Sequence, residues 1–415
     1  MFLSLFGGKA MLLDLNNSYI NRLAQTAEFG IERESLRVTA EGKLAQTEHP
    51  FVGNPHIDRD FCENQVEMIG DVFNTPEALN RQLGELLDKV DAGLIKNNEL
   101  LWAFSNPPQF GSENEIPVAR FHGSLRGKSE YRHYLAQKYG KKKMLFSGIH
   151  LNLSFTNQLL KTAFLYGNYP DFAEFKNSFY LRLAKRLTQY AWLAVYLTAA
   201  SPVADASLGV KSNVYSSIRC SEHGYWNDFT PILDYSDIKS YIRSIAQYVV
   251  NGRLKGASEL YYPVRIKPRG ENSLEALLEK GVNHLELRVL DVNPLTRTGI
   301  FSEDIRFIHL LLLWFCSLPD FDFVEEKQMK AIADVKSAAV FGDAEFKQRA
   351  KETLEEIKRF TEQYFPKYLN IVEYQLNKLH DGNSYAEIVS RRFTDGYMEK
   401  GLSLARAYQR GEGDV

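Results

Sequence analysis

Cysteine is scarce: 415 residues carry only Cys62, Cys220 and Cys316. They are widely spaced, odd in number and form no CxxC pair, which excludes a disulfide-stapled fold, a zinc ribbon and a thioredoxin-type motif. This usage predicts a reducing cytoplasm. Neither sign of charge dominates, with 50 Lys+Arg against 52 Asp+Glu. The basic surplus that a nucleic-acid binder or a polybasic membrane anchor needs is therefore missing. Long apolar runs are absent too. The most apolar stretch, Phe307 to Leu318, is about three helical turns, short of the ~20 residues that span a bilayer, and reads as a buried core helix. Met1 to Lys9 are apolar but carry neither a basic leader nor a small-residue cleavage site. There is no GxxxxGKS/T, no GxGxxG after a strand, no GxSxG and no HExxH, so any nucleotide must bind without a P-loop.

What is present is an ordinary globular composition, 44% hydrophobic and 25% charged, with 26 Phe and 22 Tyr to fill a large core. Thr75-Pro76-Glu77 is an N-cap, an N1 proline and a first-turn acid, and Leu79, Leu83, Leu86, Val90 and Leu94 follow at helical spacing. Helices are also expected from Ser129 to Tyr139, stopped by Gly140, and from Asp171 to Ala199, stopped before Ser201-Pro202. Beyond Pro319 the chain reads as a solvated helical layer through Glu325–Lys336, Ala344–Tyr364 and Tyr385–Tyr408. Strand alternation appears over Gly30–Val38, Ser147–Phe155 and Asn283–Val292. A sheet with helices outside it, and no regular strand–helix alternation, predicts an α+β fold.

Residues two apart on a strand share a face. That groups Glu32 with Glu34, His150 with Asn152 and Ser154, and Glu286 with Arg288. These faces hold carboxylates, an imidazole, an amide and a guanidinium but no lysine. The segment Asp58 to Glu67 adds Asp60 and Glu67. Taken singly, each face is a wet sheet face; together they have the oxygen-rich ligand chemistry of Mg²⁺ or Mn²⁺. Tyr131, Arg132, Arg219, Tyr225, Tyr261 and Arg265 form a second set, read either as surface arginines and half-buried tyrosines or as the walls of an amino-acid pocket.

Phe29-Gly30-Ile31-Glu32-Arg33-Glu34-Ser35-Leu36-Arg37-Val38 closely resembles the opening signature of bacterial glutamate–cysteine ligases. The resemblance runs on in order through Asp60-Phe61 with Glu67, Leu101–Pro108, Ser147–Asn152, Ala200–Val203, Ser217-Ile218-Arg219, Gly224-Tyr225, Tyr261–Arg265 and Glu286–Pro294, over roughly residues 25 to 310. It implies a carboxylate–amine ligase related in fold to glutamine synthetase: one catalytic domain over residues 1–415, with a sheet-containing core at 1–318 and a helical part at 319–415. A curved, largely antiparallel sheet would form an active-site funnel. The implied reaction joins the γ-carboxylate of glutamate to the amine of cysteine through a γ-glutamyl phosphate, with ATP as co-substrate, in the cytoplasm. That is the first step of glutathione biosynthesis, and with no second ATP-dependent module in the sequence the second step is not expected. The same resemblance makes Glu32, Glu34, Asp60, Glu67, His150 and Glu286 the ligands of Mg²⁺, with Mn²⁺ the alternative. It places Arg288 and Arg265 near phosphate, and Tyr131, Arg132, Arg219, Tyr225, Tyr261, Asn152 and Phe61 at the substrates. Expected partners are small molecules only, with no nucleic acid, membrane or obligate protein.

The sequence departs from the family pattern at Met68–Val72, at Leu151 and at Cys62 and Asn64, all flanking the metal and acceptor region. Another amine acceptor within the same chemistry is thus the first alternative. A metal-dependent hydrolase is the second; it would release product without glutamate-dependent ADP.

Overall fold

Alternation along Ala27–Thr39 builds the longest strand, β1, because Phe29 and Ile31 turn to the core while Gly30, Glu32 and Glu34 take the opposite face. A computed structural model describes residues 11–166 and 169–413; Met1 to Lys9, with the expectation attached to them, lie outside the described residues. The other strands are β2 (Ile57–Asp58), β3 (Gln65–Ile69), β4 (Glu99–Leu101), β5 (Gly148–Phe155), β6 (Val264–Lys267) and β7 (His284–Asp291). Their order is β2-β3-β1-β5-β7-β6, with β4 also on β1, and every pairing is antiparallel. Three strands match the sequence expectation closely. The short β2, β3, β4 and β6 were not expected, since two to five residues carry too little alternation to stand out.

The helices are α1 (Ser18–Ala24), α2 (Pro76–Ile95), α3 (Arg126–Tyr139), α4 (Asn157–Tyr166), α5 (Phe172–Thr198), α6 (Ile238–Val250), α7 (Leu274–Lys280) and α8 (Ser302–Ser317), then α9 (Glu325–Ala338), α10 (Ala344–Tyr364), α11 (Leu369–Asn377), α12 (Tyr385–Phe393) and α13 (Tyr397–Gln409). The caps act as the sequence implies. Thr75 Oγ1 accepts from the Ala78 amide above Pro76, and Asp171 accepts from Glu174 at the start of α5. Ile31, Ile149, Leu151, Leu153, Leu285 and Leu287 from the sheet share one apolar cluster with α2, α5 and α8, and the Phe307–Leu318 stretch is buried there as expected.

The C-terminal helices correct two expectations. Ile332, Val335, Leu354 and Ile357 enter the main cluster, and Val389, Tyr397 and Leu404 join Trp102 in a second one, so only the outer faces of this layer are solvated. A buried ion pair ties it down: Lys378 Nζ lies 2.5 Å from Asp304, which also accepts from Gln375 and Tyr385. Tyr385–Tyr408 is two helices rather than one: the first ends at Phe393, and Gly396, at φ +79° in a left-handed conformation, turns the chain as the N-cap of the second.

Candidate functional site

Strand register assembles the site. Glu32 on β1 faces His150 on β5, Glu34 faces Glu67 on β3, Asn152 faces Glu286 on β7, and Glu286 faces Arg265 on β6. Directly opposed residues share a face, so five strands place polar side chains on one patch. A register shift between Ile149 and Leu151 falls at His150, the kind of bulge that re-aims a side chain.

In that patch His150 Nδ1 is 3.3 Å from Glu32, and its Nε2 is 3.9 Å from Glu34. One ligand atom each from Glu32, His150 and Glu286 lie within 4.8 Å of one another. Glu286 is fully buried; Arg288 pairs with it at 3.0 Å and Lys267 at 3.2 Å. Burial works to raise its carboxyl, but Arg288, Lys267 and Arg265 outweigh that and hold it well below the usual range. On the other side the balance reverses, although Arg219 and Arg288 also pull on Glu34. Burial, then Asp60, Glu32 and Glu34, push Glu67 well above its ordinary value, and burial with Asp60 raises Glu34 against the pull of His150. Asn152 donates to Glu32 at 3.2 Å and leaves its buried Oδ1 without a partner. Crowded carboxylates, an imidazole and an orphaned amide oxygen fit a hard divalent cation.

Beside the patch opens a cavity of about 80 Å³. Among the expected residues it is lined by Glu34, Asp60, Phe61, His150, Arg219, Tyr225, Tyr261 and Arg288. Arg219 reaches it across β5 and β7, donating to the carbonyls of Arg288 (2.9 Å) and Leu290 (3.1 Å). A Cβ on Gly148 would fall on that guanidinium, and one on Gly224 would strike the Arg219 carbonyl, so both positions need glycine for close approach. Gly148 also donates its amide to Glu34 at 2.9 Å. Tyr225 donates to the Tyr261 hydroxyl, their rings 3.9 Å apart, and burial raises both phenols.

The remaining expected residues stand around this cavity. Glu32, Glu67 and Glu286, with Asn152 donating to Glu32, lie in the neighbouring acidic patch. Arg132 bonds to the Asp60 carbonyl and lies 3.7 Å from its carboxylate, and the Tyr131 hydroxyl accepts from Ser258 at 3.3 Å. Arg265 is committed elsewhere: it donates to the carbonyls of Ser258 (2.8 Å) and Leu260, and burial with nearby Arg288 lowers it to about 10. Sequence reasoning missed Lys267, Lys143, Met144, Phe146, Trp226 and Tyr262. For Lys267 a signal existed, since Arg265 and Lys267 are two apart on a strand.

A buried carboxylate–imidazole cluster beside inward-facing guanidiniums is chemically able to hold a divalent cation next to an anionic group. A profile described as glutamate-cysteine ligase matches residues 12–253 and 230–338. The glutathione biosynthesis bifunctional protein GshAB of Listeria monocytogenes is 33% identical over 94% of this chain and 55% of its own length; that of Clostridium perfringens is 34% identical over 92% and 54%. Among solved structures, a bifunctional glutathione synthetase from Pasteurella multocida superposes with TM-score 0.87 at 29% identity, over 97% of this chain and 55% of that one. A glutamate–cysteine ligase from Francisella tularensis, in complex with AMP, gives 0.82 at 25% identity, over 93% and 89%. The chain belongs to the glutamate–cysteine ligase family. It spans about half the length of the curated relatives it matches.

Proposed function

We propose that this protein joins the γ-carboxylate of L-glutamate to the amine of L-cysteine at the expense of ATP, the first step of glutathione biosynthesis. The observation that carries this reading is the cluster of Glu32, His150 and Glu286, which adjoins the cavity through His150 and Arg288, in a chain of this family. In the first half-reaction a γ-carboxylate oxygen of glutamate bonds to the γ-phosphorus of ATP, and ADP leaves with the electrons of the broken P–O bond. In the second, the amine of cysteine bonds to the acyl carbon, phosphate departs and the amine loses a proton.

Each half-reaction gathers negative charge, and Arg288 and Arg219 supply fixed positive charge against it. Arg265 acts one step back, bracing the turn that carries Tyr261 through its bonds to Ser258 and Leu260. Glu32, Glu34, Asp60, Glu67, His150 and Glu286 would hold magnesium, with manganese the alternative. When bound it would neutralise phosphate and acyl-phosphate charge. Tyr225, Tyr261 and Phe61 wall the amino-acid end, Arg132 and Tyr131 approach it from α3, and Asn152 orients Glu32.

We take residues 1–415 as one catalytic domain, 1–318 carrying the sheet and 319–415 the helical part. The reading includes a cytoplasmic location and small-molecule partners only, without nucleic acid, membrane or an obligate protein; no described helix is long and apolar enough to cross a membrane. The test is ADP release with glutamate, ATP and Mg²⁺ across a panel of amines, with the product identified by mass. A γ-glutamylcysteine peak requiring all three is expected. Product formation without stoichiometric ADP would replace the ligase with a hydrolase.

A further inference from the structure

The cavity described above has a neighbour. A second hollow, of about 130 Å³, is lined by Asn227, Asp228, Phe229, Thr230, Pro231, Ile332 and Lys336, together with Trp226, Tyr261 and Tyr262. Those last three also line the first cavity, so they are the wall between the two.

Two of the three are fastened through the surrounding core. Tyr262 is buried, with its hydroxyl 3.4 Å from the buried Gln328 amide. Tyr261 is bonded to Tyr225, and its amide donates to Asn227 at 2.9 Å. Trp226 is set differently. Its Nε1–H donates to the Ser221 carbonyl at 2.7 Å, and its ring face lies 5.0 Å from the Lys336 ammonium, which reaches over from α9. The indole is half-buried, packed on the edge of the main apolar cluster, and with one hydrogen bond and one cation–π contact besides it is the panel of the wall that can be removed with least loss to the core.

Glu34, Asp60, His150 and Arg288 line the first cavity but not the second, whereas Trp226, Tyr261 and Tyr262 line both, so the second hollow lies behind the aromatic part of the wall and away from the ions. A substrate amino acid therefore puts its reacting groups toward the ions and its side chain toward the tryptophan.

We infer that Trp226 determines acceptor specificity by closing the side-chain end of the amino-acid pocket, so that only short acceptors fit, and that removing the indole joins the second hollow to the pocket and admits long or aromatic ones. This rests on the ligase reading above. A closed apolar wall discriminates between side chains by size because a methylene too many must displace packed atoms, which commonly changes kcat/KM by about 10- to 200-fold.

The experiment compares wild type, Trp226→Ala, Trp226→Leu and Lys336→Met, at saturating glutamate and ATP with Mg²⁺, using L-2-aminobutyrate and L-methionine as acceptors. The readout is the ratio of kcat/KM for methionine to that for 2-aminobutyrate. Trp226→Ala should raise it by about tenfold or more and Trp226→Leu by less. Lys336→Met, which keeps the wall, should leave it near the wild-type value. An unchanged ratio in Trp226→Ala, or in Trp226→Leu should the alanine variant not fold, overturns the inference. So does an equal rise in Lys336→Met, which would assign the effect to the lysine. Absence of glutamate-dependent ADP in the wild type would sink the ligase reading instead. The wall is then judged by calorimetry with L-methionine and L-phenylalanine: tighter binding to Trp226→Ala than to wild type supports it, and equal binding overturns it.

Discussion

Glu286→Gln is the most informative substitution, because the buried carboxylate is both a candidate ligand and the counter-charge for two half-buried cations. The change keeps volume and removes one negative charge. Arg288 and Lys267, whose side chains are 18% and 15% exposed and lie 3.0 and 3.2 Å from it, are then left facing a neutral amide. Breaking a buried ion pair from one side typically costs about 3–5 kcal/mol. At ~2.1 cal/mol/K per residue, a chain of 415 residues has an unfolding entropy near ~0.9 kcal/mol/K, so the midpoint should fall by about 3–6 °C. Calorimetry in EDTA measures this with the protein's own charges alone. Removing one cation as well should relieve the imbalance, so Glu286→Gln/Lys267→Met should melt above Glu286→Gln, a positive coupling in a double-mutant cycle. Activity in both variants should drop by about a hundredfold or more. A double variant no more stable than Glu286→Gln would refute the charge argument, and wild-type turnover in Glu286→Gln would remove that residue from the ligand set.

Three further outcomes are expected. Gly148→Ala puts a methyl on the Arg219 guanidinium; overpacking should cost about 1–3 kcal/mol and raise KM for glutamate, and unchanged kinetics would show that Arg219 swings aside freely. His309 is buried, donates Nε2–H to the Ala24 carbonyl at 3.1 Å and sits between Phe29 and Phe155; burial lowers it to about 4. Its unfolded value is ~6.5, so acid charges the unfolded chain first, and stability falls as pH drops from about 6.5 to 4, by about 3 kcal/mol in all. His309→Phe should lack that component, and pH–stability curves that stay parallel to wild type would exclude it. Lys378→Met strands Asp304 in the core and should lower stability by about 3–5 kcal/mol in urea titration. A loss below ~1 kcal/mol would mean that Gln375 and Tyr385 satisfy Asp304 alone.

The sequence by itself determined the local elements and the chemistry of each face. Capping at Thr75 and Asp171, helical spacing in α2 and α5, and alternation in β1, β5 and β7 are written in adjacent residues, as is the pairing of Glu32 with Glu34 and of Glu286 with Arg288. Ordered motifs extended that reading to the family. Tertiary structure decided the rest. Register set Glu32 against His150 and Asn152 against Glu286, partners more than 100 residues apart that no local pattern links. Folding turned Arg265 toward the carbonyls of its own turn and brought Lys267 to Glu286. It sank the inner faces of the C-terminal helices into the core, although their charged sequences read as solvated. It also put Trp226 between two cavities. An indole's neighbours are fixed by how loops and helices pack, and a window of adjacent residues carries no record of that packing.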